Sequence, residues 1–142
     1  MNTNSENPKV GKAFQELVCK SLEKYFNTDF NLEVPIPIGI PAKDHHFDCV
    51  SDTGKIVVEC KCYTWTESGN IPSAKIRGLN EAVFYMNFLP EDKIKILCIA
   101  TALHSHKSES LAEYYHRING HLLGNVKLFE IDKSGNITII RN

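Results

Sequence analysis

Asp48, Glu59 and Lys61 are the residue types that hold a divalent cation beside an ammonium group, and they fall within one stretch, FDCVSDTGKIVVECK, from Phe47 to Lys61. Glu59 and Lys61 are two positions apart. On a strand, where side chains alternate, both point one way while Val58, Cys60 and Cys62 point the other. Ten residues separate Asp48 from Glu59, enough for a hairpin that sets the two carboxylates side by side. Two carboxylates and an ammonium on one sheet surface are costly unless a divalent cation sits among them. The chemistry implied is metal-assisted hydrolysis of a phosphodiester, and the pattern reads as a nuclease centre.

A hairpin must position these groups. Phe47-Asp48-Cys49-Val50 reads as a short strand ending at the turn Ser51-Asp52-Thr53-Gly54, and the β-branched run from Lys55 to Cys62 reads as the returning strand. Asp48, ten intervening residues and then Glu59-x-Lys61 resembles the PD-(D/E)XK, or restriction-endonuclease-like, nuclease superfamily, with Phe47 where the usual proline stands. Mrr-type restriction enzymes and archaeal Holliday-junction resolvases are the members it resembles. The resemblance implies action on DNA. Asp48 and Glu59, with the Cys60 carbonyl, would hold Mg²⁺ (or Mn²⁺), both of which prefer oxygen ligands, and Lys61 would orient the attacking water or stabilise the transition state. Members of this group open with a helix bearing a glutamate about four residues after a glycine. Counted from Gly11, that position holds Gln15, at the edge of the helix's apolar face, where it would hold water or phosphate near the site; Glu16 turns to solvent.

The remaining elements follow in order. Residues 1–9 are expected as a disordered arm and 10–142 as a single nuclease-like domain. From Val10 to Phe26, the residues Val10, Phe14, Leu17, Val18, Leu22 and Tyr25 recur at helical spacing. The segment from Phe30 to Ile40 carries Pro35 and Pro37, with Pro41 following, so it is an edge strand or an extended segment. Ala42 to His46 reads as a polar loop. Pro72-Ser73 starts a helix reaching about Phe88, with Ile76, Leu79, Val83 and Met86 buried. Lys93 to Thr101 is a continuous apolar strand of a sheet covered on both faces. Ser110-x-x-Glu113 resembles a capping box for a helix ending near Asn119-Gly120, and a last hairpin turns at Lys133-Ser134-Gly135-Asn136. The expected class is α/β, restriction-endonuclease-like: a central mixed β-sheet flanked by helices, order αβββαβαββ.

For substrate contacts, His46 lies in the loop before Asp48, and Tyr63, Trp65, Lys75 and Arg77 follow the catalytic strand. An aromatic there would stack on a base and the cations would hold phosphates; for Trp65 the alternative is packing of the loop onto the core. His104, His106 and Lys107 follow the central strand, where substrate loops or plain solvated loops both occur. His45, His46, Cys49, Cys60 and Cys62 offer a competing zinc reading, against which stands the absence of any CxxC or HxxxH spacing.

Composition sets the outer bounds. The chain has 142 residues, 42% hydrophobic and 23% charged, which suits one globular domain. No apolar run approaches the ~20 residues that span a bilayer, and the polar start MNTNSENPKV is not a signal peptide, so no membrane association is expected. Five cysteines, an odd number, point to reduced thiols in the cytoplasm. A net charge of −1 gives no global attraction to DNA, so a nuclease would need a local basic surface, a bound cation or a partner. One centre cuts one strand, so a homodimer is expected for duplex breakage. The alternative function is a catalytically inactive nuclease-fold protein that binds nucleic acid or a protein partner.

Overall fold

The computed structural model describes residues 8–66, 68, 70 and 72–142. Six strands form one sheet in the order β1 (Phe30–Ile38), β2 (Lys43–Ser51), β3 (Ile56–Lys61), β4 (Ile94–Ala100), β5 (Lys127–Ile131) and β6 (Ile137–Arg141). The first three strands pair antiparallel, β3–β4 and β4–β5 pair parallel, and β5–β6 is an antiparallel hairpin. With α1 (Pro8–Phe26), α2 (Ser73–Met86) and α3 (Leu111–Asn119), the chain runs α-β-β-β-α-β-α-β-β, followed within the α3–β5 connection by one turn of 3-10 helix at Gly120–Leu122. The mixed α/β class and this order of elements agree with the sequence reading.

Two parallel connections, β3 to β4 through α2 and β4 to β5 through α3, step across the sheet in the same direction. Crossovers of one hand must then lay both helices on one face. Leu79, Val83 and Met86 of α2 and Tyr115 of α3 are buried there against Val57, Leu97 and Ile99. The opposite face is covered by α1 through Phe14, Val18, Cys19 and Leu22, which pack on Cys49, Val58 and Cys98. β4, covered on both sides, is apolar as expected except at Lys95, which is buried and donates its Nζ to the Leu89 carbonyl at 3.1 Å. The Ser110–Glu113 capping box is present in both directions.

Four expectations are corrected. Pro8 and Lys9 belong to the first turn of α1 rather than to a disordered arm, whose residues 1–7 lie outside the described residues. Tyr25 is 50% exposed instead of buried, and Cys19 joins the buried stripe; in the last turn the Tyr25 ring makes T-shaped contacts with Phe26 and Phe129. Ile76 is half-buried at the rim of the core. Lys43 to His46 is strand, not loop: Pro35 pairs with His46 and Pro37 with Asp44. Prolines two apart place both missing N–H groups on the same, outer edge of β1, so the ladder to β2 survives them. Polar residues suit this ribbon because one of its faces stays in solvent.

Candidate active site

The site forms where β2 and β3 part. Their last regular pair is Cys49–Val58, and one step further Asp48 and Glu59 stand opposite each other. There, side chains take over the backbone hydrogen bonds. The Cys60 N–H donates to Asp48 Oδ2 at 2.7 Å, and the Asp48 N–H donates to Glu59 Oε1 at 3.3 Å. On the far side of β2 the ladder to β1 is also interrupted: Leu32–Cys49 and Val34–Phe47 are paired, and Glu33 between them has φ +52°. A non-glycine residue in the left-handed region opposite Asp48 marks local strain. Val57 packs on the α2 and α3 side and Val58, Cys60 and Cys62 on the α1 side; strand alternation puts Glu59 and Lys61 on the side of Val57, as the spacing required.

Gln15 reaches this fork from α1. It is buried, and its Nε2 donates to Asp48 Oδ1 at 3.0 Å and to the Asp48 carbonyl at 3.2 Å. Glu16 is exposed. A cleft of about 430 Å³ opens at the start of α1, lined by Lys12, Gln15, Glu33, Asp48 and Cys60. Glu59 lies behind it, 5% exposed. On its other flank His45 Nε2 stands 3.6 Å from Glu59 Oε1, and that buried nitrogen has no hydrogen-bond partner among the described residues. The imidazole is held by stacking on Tyr85, with centroids 4.3 Å apart, and by an edge contact with Phe47.

Burial dominates the electrostatics here. It is the largest influence raising Asp48 above the usual carboxylate range; the Cys60 N–H and Lys61 oppose it. Glu59 is pushed up to about 8, by burial first and then by the neighbouring Asp48 charge, again against Lys61. Burial also lowers His45, which favours the neutral imidazole. Lys61 is thus near enough to act on both carboxylates, and its Nζ lies 6.0 Å from the Tyr63 ring centroid.

The donor set fits a small divalent cation. Two adjacent carboxylates whose ionisation is resisted by burial, beside a buried imidazole nitrogen, are only partly compensated by Lys61. Among the described residues no three His, Cys, Asp or Glu side chains form a group able to hold a metal. His45 and Cys60 of the zinc reading face opposite sides of the sheet, whereas Mg²⁺ is commonly held by one or two carboxylates and completes its shell with water and phosphate.

The substrate residues divide. Trp65 is a correction: it is 9% exposed, its Nε1 donates to the Ala102 carbonyl at 3.0 Å, and it packs on His104 and Tyr114, so it anchors the loop after β3 and is unavailable to a base. His104 is buried in the same cluster and accepts from the His106 N–H. Tyr63 is half-buried, and its hydroxyl fills the space over Gly78, where an added methyl would lie 2.5 Å away. Lys75 is half-buried and Arg77 exposed on the first turns of α2, and His46 is exposed on the β1–β2 ribbon. Sequence reasoning gave neither His45 a place beside Glu59 nor Glu33 a place in the cleft; the alternation that puts His45 on the Phe47 side of β2 was the available signal for the first.

Among the described residues no helix is long and apolar enough to cross a membrane, and the five cysteines are free. No protein-family model and no curated protein matches the chain. Among solved structures it is similar to SfsA of Pyrococcus furiosus in complex with Ca²⁺, at 16% identity and a TM-score of 0.38, covering 92% of this chain and 61% of that one. A superposition that loose carries no argument about fold family or chemistry.

Proposed function

We propose that the chain is a metal-dependent endonuclease of the PD-(D/E)XK type, a single nuclease-like domain over residues 10–142 that hydrolyses phosphodiester bonds in DNA. The observation that carries this reading is the fork of β2 and β3, which sets Asp48 and Glu59 against each other within the electrostatic reach of Lys61. Asp48 and Glu59, with the Cys60 carbonyl, would hold Mg²⁺ or Mn²⁺; such a cation neutralises phosphate charge and acidifies water. Gln15 fixes the Asp48 carboxylate from α1. Lys61 orients the attacking water and stabilises charge building on the phosphate oxygens. His45, stacked on Tyr85, positions Glu59 from the other flank. Tyr63, Lys75, Arg77 and His46 border the strand and helix that carry the centre and would contact the backbone of the substrate. One centre breaks one strand, so duplex breakage requires two copies.

A second reading, a nuclease fold that binds without cutting, is favoured by the 5% exposure of Glu59. A plasmid-nicking assay with Mg²⁺, Mn²⁺ or EDTA separates the two. Metal-dependent nicking by the wild type, abolished in Asp48→Ala and reduced in Lys61→Ala, supports the hydrolase. Metal-independent nicking, or none with any cation, overturns it.

A further inference from the structure

We propose that the groove between α1 and the β5–β6 turn is a second nucleic-acid contact that binds a single-stranded segment. The groove holds about 580 Å³, more than the cleft beside Asp48. Lys20, Ser21, Lys24 and Tyr25 line it from α1, and Ser134 and Asn136 from the turn. Lys20 and Lys24, four apart, share one helix face. Both are exposed, and among the described residues neither forms an ion pair. No acidic residue lines the groove. Of the acids nearest in sequence, Glu23 accepts the Phe30 N–H at 3.0 Å and the Asp132 carboxylate accepts the Ser134 and Asn136 N–H groups at 2.9 Å each, while Glu16, one turn before Lys20, is exposed.

The helix as a whole is basic against the trend of the chain. α1 carries four lysines and two glutamates, two net positive charges on a molecule whose total is −1, with Lys20 and Lys24 at the groove and Lys9 and Lys12 at the helix start. Such a surface attracts phosphates locally. Tyr25 supplies the second half of the recognition. Its ring is braced by Phe26 and Phe129, with centroids at 4.9 and 5.7 Å, and remains half exposed. Cations on the backbone together with a fixed, open aromatic ring are how single strands are held; a duplex keeps its bases stacked inside and can use only the cations. Lys20 and Lys24 lie roughly 8 and 14 Å along the axis from Gln15, at 1.5 Å per residue, on a different face of the helix. The groove therefore holds a strand apart from the catalytic fork, and its role rests on the proposal that the chain acts on nucleic acid.

The test is fluorescence anisotropy in EDTA, with a labelled single-stranded oligonucleotide and the matching duplex, across a salt series. The wild type is expected to prefer the single strand. Lys20→Gln with Lys24→Gln weakens both ligands and reduces the single-strand salt slope by about 1.4, at about 0.7 per lost contact. Tyr25→Leu, which keeps an apolar side chain against Phe129, weakens the single strand roughly five- to a hundredfold and leaves the slope unchanged. Wild-type affinity and slope in the double lysine variant overturn the proposal, as does a wild type that binds no strand. Because binding is read without metal, a chain that binds through this groove but never nicks plasmid would sink the hydrolase reading alone. Unchanged binding in the groove variants with nicking intact would sink the groove alone.

Discussion

Glu59 is the residue whose environment most constrains the chemistry. It is buried against Asp48, and its carboxyl is raised to about 8. Unfolded, both acids titrate in the ordinary carboxylate range. Between that range and about 8, the unfolded chain releases protons that the folded chain keeps, so metal-free stability falls as pH rises through this window and is fullest below it. Thermal melts in EDTA across this range are expected to show the decline, and Glu59→Gln to flatten it; a wild-type melting temperature that rises instead contradicts the burial argument. Added Mn²⁺ should stabilise more at the upper end of the window, where no proton has to be displaced. Lys61→Ala is expected to cost roughly 10²- to 10³-fold in nicking rate, the scale of losing one preorganised stabilising group, with the fold unchanged by circular dichroism. At this scale much of the site is legible in sequence. The two-residue spacing puts Glu59 and Lys61 on one side, and helical periodicity brings Gln15 to the edge of the core. His45 escaped because its partner Tyr85 lies on α2, forty positions later, and Glu33 because nothing local signals a left-handed residue inside an edge strand.

Among the elements, the fork of β2 and β3 and the loop behind it divide the work. The fork exposes Cys60 and Asp48 main-chain donors that the two carboxylates satisfy. Gln15→Ala should leave α1 folded yet loosen Asp48, lowering nicking more than it lowers the melting temperature; the reverse ratio would make Gln15 a packing residue. The loop after β3 hangs on Trp65, whose indole N–H reaches across to Ala102. Trp65→Phe removes that bond while the Ala102 carbonyl keeps the Leu111 N–H at 2.8 Å, a loss of about 0.5–1.5 kcal/mol. It should not change affinity for nucleic acid, and a selective loss of affinity would restore the stacking role that burial denies it. The order of elements was readable because each helix and strand has its own period. The first half of β2 was not, since its polar residues resemble a loop until the proline-bearing strand is laid beside them.

For the whole molecule, a sheet with α1 on one face and α2 and α3 on the other places the fork between two flanks: Gln15 and the cleft on one, His45 and Tyr85 on the other. The net charge of −1 conceals a helix with two net positive charges on the first flank; its four lysines share one face, with Glu16 and Glu23 among them, only once the helix is wound. Everything proposed for the chemistry depends on Asp48 and Glu59 sharing one cation. Calorimetric titration of the metal-free protein with Mn²⁺ tests that most directly. One Mn²⁺ per chain is expected for the wild type and for Lys61→Ala, with binding lost in both Asp48→Asn and Glu59→Gln. No binding by the wild type, or binding that survives both carboxylate substitutions, would contradict the account.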